Sequence, residues 1–247
     1  MTEFLIGIDD TDEPDSPGTG RLARDLGAAL EARGDNVLGI TRHQLLLHPL
    51  IPYTSANSAA CLLVRSDESD RMALAELVEV FVKDRSAALA EPGVAVVEAD
   101  KDLLVAADIG GKAQREVLDD VGRLGSLASR AGIELRSTGR GESGLVGAIS
   151  AVGLRWTGHD GRFIDLDGIR LGWETATVQD LIGQTGVMSV LKEGGEELAS
   201  EEEVAVDGWL RPSLIGGRPS LVVRRDIARN CWVNAETRKG AKYGPRA

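Results

Sequence analysis

At 247 residues, 43% of them hydrophobic, the chain is long enough to bury a sizeable core in one large domain or two small ones. Two cysteines, three histidines and no C-x-x-C exclude a disulfide framework and offer no zinc-site spacing. A formal charge of −11 argues against a broad nucleic-acid footprint, because phosphate backbones are held by many Lys and Arg. No window reaches the roughly 18 uninterrupted apolar residues of a membrane span, and the start "MTEFLIGIDD" carries acid where a signal peptide carries a basic flank. A cytoplasmic protein with no membrane partner is expected.

Phe4 to Ile8 is apolar on both faces, which suits a central, buried strand. Asp9, Asp10 and Asp12 then crowd its C-terminal edge. From Thr19 to Arg33 the apolar residues Leu22, Leu26, Ala29 and Leu30 recur at helical spacing, with Gly34 placed to end the helix. Strands are expected at Asn36 to Leu47 and Ala59 to Val64, either side of the turn-rich "HPLIPYTSANS", and the run "AACLLV" marks Cys61 as core. Asp70 to Leu89 should be helical, Val94 to Glu98 a strand, and Lys112 to Ala131 a second long amphipathic helix. A short strand at Ile133 to Arg136 leads into the glycine-rich "STGRGESG", followed by a buried helix from Leu145 to Leu154. "GRFIDLDGIRLGW" has the pattern of a hairpin turning at Asp167 and Gly168. Beyond Thr177 a short helix, an acidic segment and a strand at Leu221 to Arg225 follow. The basic end "RNCWVNAETRKGAKYGPRA" has the character of a solvated tail.

Three carboxylates at a strand terminus repel one another unless a cation or a set of donors offsets the repulsion. Magnesium is the natural candidate, since it takes one or two carboxylates together with phosphate oxygens. The alternative is that one of them caps a helix or closes a turn. The loop "EPDSPGTG" feeds a helix N-terminus, where free N–H groups favour an anion, and Thr19 supplies a hydroxyl there, as cap or as chemistry. "TGRGESG", Thr138 to Gly144, has the same form, and Arg140 between glycines is of the type that grips phosphate bidentately. "GIDDTD" also resembles the "DIDDT" box of haloacid-dehalogenase-like phosphatases. Gly7 stands where their nucleophile would be, however, and Pro14 where a shifted frame needs Thr.

Three segments in order resemble one family. "GIDDTDEPDSPGTGRLA", "HPLIPYTSANSAACL" and "GRGESGLVGAISAVG" are similar to stretches of the archaeal isoleucine-tRNA 2-agmatinylcytidine synthetases, bracketing roughly the first 175 residues. The resemblance implies an α+β fold: a mixed-sheet, kinase-like ATP- and magnesium-binding domain over 1–175. Residues 94–134 would belong to an inserted ferredoxin-like module, and 176–247 would form an extension of uncertain role. It implies magnesium held on ATP by Asp9, Asp10 and Asp12, and Thr19 as candidate phosphoryl acceptor. Nucleotide contacts would come from Gly18, Asn57, Gly139, Arg140, Gly141 and Gly144. In that family cytosine is phosphorylated at C2 and agmatine displaces the phosphate.

The departures are specific. Gly18 and Gly20 replace a Cys and a Thr, the family's Lys and Arg near Pro52 to Asn57 are missing, and Glu142 and Ser143 are added to the glycine loop. The expected protein is a truncated, divergent homologue: a magnesium- and ATP-dependent phosphotransferase or ligase-like enzyme with a small-molecule or nucleoside acceptor, tRNA being disfavoured by net charge. The other readings are a non-catalytic nucleotide-binding or regulatory module and a metal-dependent phosphatase. Oligomeric state is left open.

Overall fold

The computed structural model describes residues 1–247 except 55, 69, 119, 120, 140, 171 and 236–247, and at 121 the backbone alone. Most of the basic tail therefore lies outside the described residues, as does Arg140. The chain divides into two compact units, Met1–Asp165 and Leu166–Ala247.

The first unit runs β1 (Thr2–Asp9), α1 (Thr19–Arg33), β2 (Asn36–Gln44), β3 (Ser58–Ser66), α2 (Arg71–Arg85), β4 (Gly93–Glu98), α3 (Leu104–Ala113), a 3-10 turn (Val121–Arg123), α4 (Leu124–Arg130), β5 (Glu134–Ser137), α5 (Ser143–Trp156) and β6 (Arg162–Asp165). Its strands lie in the order β5-β4-β1-β3-β2-β6. Every pairing among them is antiparallel, where a mixed sheet was expected. α1 does cross over from β1 to a strand of the same direction, but β3 returns into the gap between them, so no parallel pair forms. From β1 to β4 the element order βαββαβ and the strand order are those of a split βαβ unit, spanning residues 2–98. Residues 94–134 contribute β4, hydrogen-bonded directly to β1, and β5 is paired to β4.

β1 is buried on both faces, as its unbroken apolar run dictates. Phe4, Ile6 and Ile8 meet Leu22, Leu26 and Leu30 of α1 and Leu74 and Val78 of α2. Leu5 faces the opposite layer, where α3 and α5 contribute Ala106, Ile109, Ala148 and Val152. α1 occupies its expected span, and Gly34, at φ 106°, ends it with its N–H on Glu31 and Leu30 carbonyls. α5 lies unusually close to β1: a methyl group on Gly7 would stand 2.1 Å from the Ala148 carbonyl oxygen. That proximity brings the N-terminus of α5 to the aspartates.

Two expectations fail. Lys112 to Ala131 is not one helix: α3 ends at Ala113 and α4 begins at Leu124. The expected hairpin at Asp167 and Gly168 does not form, because β6 pairs with β2 and the next strand begins at Thr175.

The second unit comprises β7 (Thr175–Thr177), α6 (Val178–Gln184), β8 (Ser189–Lys192), β9 (Glu203–Ala205), β10 (Ser213–Ile215), β11 (Arg218–Asp226) and β12 (Cys231–Asn234). β8 runs parallel to β11, and β9 to β12. Ile169, Leu181, Leu210, Leu221 and Val223 form its core, with Trp173, Trp209 and Trp232 packed on it. Among the described residues no helix is long and apolar enough to cross a membrane.

Candidate active site

The ends of β1, β2 and β5 and the starts of β3, β4 and β6 share one edge of the first sheet. There the three aspartates separate. Asp9 turns towards α5, and a methyl group on Gly147 would collide with its carboxylate at 1.7 Å. Burial pushes the Asp9 carboxyl up to about 7; the N–H of Asp10 opposes that shift, and the charges of Asp10 and Asp12 add to it. Asp10 sits in the left-handed region at φ 53°, a conformation that Asp tolerates better than most residues. Its carboxyl accepts from the Ser143 hydroxyl. Burial raises the Asp10 pKa, the Ser143 bond lowers it, and the neighbouring charges of Glu91 and Asp12 raise it further.

Asp12 does something else. Its Oδ1 accepts from the Thr19 backbone N–H at 3.3 Å and from the Thr19 hydroxyl at 2.9 Å, and its Oδ2 from the Thr54 hydroxyl at 2.8 Å. Gly18, the N-cap position, has no side chain to cap α1, so Asp12 caps it from seven residues before Thr19. Thr19 is only 7% exposed and receives a further bond from the Thr11 hydroxyl at 3.1 Å. Among the described residues no three Asp, Glu, His or Cys side chains form a group able to hold a metal ion.

The glycine loop ahead of α5 lies against an acid from just before β4 that was not among the expected site residues. Glu91 Oε2 accepts from the Ser143 N–H at 3.4 Å, and the Glu91 carbonyl from the Gly144 N–H at 3.1 Å. Gly141 lies against the Glu91 carboxyl, and Gly144 against backbone atoms of Gly93, Glu91 and Asp9. Gly139 is left-handed at φ 82°. The Asn57 side chain bonds the Leu46 carbonyl at 2.8 Å and its carbonyl takes the Leu45 N–H, closing the neck of the loop that carries Thr54. Thr54 and Ser143 were visible in the loops as hydroxyls; Glu91, far from both in sequence, gave no local signal.

A separate buried polar set lies where the end of β2 meets the start of β6. His43 bonds Thr41 at 2.8 Å and Asp160 at 2.7 Å, and Asp160 also accepts from Gln114 at 2.9 Å. Burial holds the His43 pKa down, which outweighs the pull of Asp160.

Solved structures resemble this fold. A complex of TiaS with an isoleucine tRNA, AMPCPP and agmatine superposes with a TM-score of 0.52 at 25% identity, covering 62% of this chain and 36% of that one. The chain has a TiaS-like fold. A complex of TiaS with the same tRNA and ATP gives 0.53 at 26% over 62% and 36%, and apo TiaS, a tRNA agmatidine synthetase, gives 0.50 at 25% over 61% and 35%. The chain thus spans about a third of the length of the structures it matches. Models of known protein families give no match, and neither do curated proteins.

Proposed function

We propose that this chain is an ATP-dependent ligase-like or phosphotransferase enzyme, its nucleotide bound with magnesium in a kinase-like site at the first sheet edge. The observation that carries the reading is the pair of adjacent carboxylates at the end of β1, Asp9 turned against Gly147 of α5 and Asp10 bonded to Ser143 at the start of the same helix; burial and neighbouring acids raise the pKa of both. Solved TiaS structures that hold ATP or AMPCPP share the fold and support it. A magnesium ion fits this donor set: one or two hard carboxylate oxygens plus phosphate oxygens satisfy it, and its charge would relieve the repulsion. Asp9 and Asp10 would hold it, leaving Asp12 to organise Thr19. The ion would supply charge neutralisation for the transferring phosphoryl group.

Asp12 accepts a hydrogen bond from the Thr19 hydroxyl and is itself fixed by Thr54, which is the arrangement of a nucleophile, a base and an orienting group. On this reading Thr19 is the residue that takes a phosphoryl group. The burial of Thr19 favours a second reading, in which it only ends the helix and the chain binds nucleotide without turnover. Mass spectrometry after incubation with ATP and magnesium separates the two. A phosphoryl group on Thr19, absent from Thr19→Val, is the expected result; an unmodified chain with unchanged ATP supports the binder.

The acceptor is proposed as a nucleoside, free or within tRNA, or a small amine. Net charge is a poor ground for setting tRNA aside, because the TiaS complexes of this fold hold an isoleucine tRNA. Analysis of the nucleotide product tests the chemistry: AMP marks synthetase-like activation and ADP a simple phosphoryl transfer.

A further inference from the structure

The first turn of α5 is an anion-binding end, and in this structure a side chain of the protein itself lies in it. Glu91 Oε2 accepts the Ser143 N–H at 3.4 Å. Its carboxyl fills the space beside Gly141, where a methyl group would stand 2.1 Å from Glu91 Cδ and 2.2 Å from Oε2. Gly144 and Leu145 give their N–H groups to the Glu91 and Glu142 carbonyls, which leaves the Ser143 N–H, next to a glycine-lined wall, as the group that would otherwise receive a phosphate. The same loop holds the Thr138 hydroxyl, 3% exposed and without a partner among the described residues.

Glu91 occupies this place against a repulsion. Both acids bond the same residue, Glu91 through the Ser143 N–H and Asp10 through the Ser143 hydroxyl, so two like charges meet there. The backbone of residue 91 is held independently: its N–H bonds the Asp10 carboxyl and its carbonyl takes the Gly144 N–H. The side chain can therefore leave by rotation about its own bonds while the strand start and the helix stay in place.

We propose that Glu91 is an internal surrogate for phosphate, an autoinhibitory carboxylate that must vacate the N-terminus of α5 before an oxyanion settles there. The inference deepens the ATP-site reading and rests on it for the identity of the incoming anion. A phosphate chain that displaces Glu91 gains the Ser143 N–H and the glycine wall. Affinity is then set by competition between two anions, one of them tethered.

The test is calorimetric titration of the wild type and Glu91→Gln with magnesium-ATP and, separately, with tripolyphosphate. Glutamine keeps the size of the side chain and removes its charge. Dissociation constants should fall about tenfold for both ligands, the scale of one anion at a helix N-terminus. Gly141→Ala, whose methyl group would stand in the place of the carboxyl itself, should weaken both ligands instead, with thermal unfolding showing that the fold is kept. Unchanged or weaker binding in Glu91→Gln, with a wild type that binds ATP, overturns the surrogate and leaves the ATP reading standing. Tighter tripolyphosphate binding without any ATP binding supports the surrogate and overturns the ATP reading. A protein that binds neither ligand in either form overturns both.

Discussion

The two glycine-rich loops of the first unit look alike in sequence, each feeding a helix N-terminus with a hydroxyl residue in its first turn, yet their ends are occupied differently. At α1 the acid is local: Asp12 reaches the Thr19 N–H and hydroxyl, and space around Gly18 is open, with only Asp12 Oδ2 within 4 Å of an added methyl group. At α5 the acid is distant in the chain: Glu91 reaches Ser143, and Gly144 is pressed against backbone. Similar loops thus acquire different chemistry from the strand they lie against, α1 a fixed cap that organises a hydroxyl and α5 a replaceable one.

The largest effect should come from the packing contrast. Gly144→Ala places a methyl group 2.4 Å from the Gly93 nitrogen and 2.8 Å from the Glu91 carbonyl oxygen, backbone atoms that cannot rotate away. A loss of about 3 kcal/mol is expected in urea unfolding, the upper range for overpacking. Gly18→Ala, at φ −67° with room around it, should stay within about 1 kcal/mol. Equal costs at the two positions would remove the distinction between the loops.

Asp12→Ala comes next. It removes the cap of α1 and the partner of two hydroxyls at once, and should cost about 1–2 kcal/mol of stability. Thr54→Val, which removes one of those bonds, should cost about half as much, and a loss larger than that of Asp12→Ala would place the anchor elsewhere.

How much of this was legible in the sequence depends on the range of the deciding contact. α1 was, because Leu22, Leu26 and Leu30 announce its buried stripe and Gly34 its end. The cap from Asp12 was legible as a class of role, since its partner lies seven residues on. α3 was not: its sequence "LVAADIGGKA" carries two glycines that argue against a helix. Gly110 is there because Leu154 Cγ and the Ser150 carbonyl of α5 lie 2.7 and 2.9 Å from where a side chain would begin. Packing against α5 overrides propensity at that position. Glu91 was invisible for the same reason, as only the pairing of β4 with β1 brings it to the aspartates.

A pH dependence of stability follows from the buried acid Asp9 at the end of β1. The Asp9 carboxyl is raised from 3.8 to about 7, so between those values the folded state retains a proton that the unfolded state releases. Stability contributed by neutral Asp9 is complete below about pH 4 and is lost as pH rises towards 7. In metal-free buffer the slope should approach about −1.4 kcal/mol per pH unit at its steepest. Asp9→Asn should flatten it, and a slope unaffected by that change would mean the carboxyl titrates normally.

The central claim is that the carboxylates at the end of β1 hold a cation on nucleotide phosphates, and ATP titration by calorimetry tests it most directly. Wild type should bind ATP with magnesium and lose that binding in a chelator, and Asp10→Asn should bind magnesium-ATP about 10- to 100-fold more weakly while remaining folded. Affinity that is the same with magnesium, with chelator and in Asp10→Asn would contradict the account.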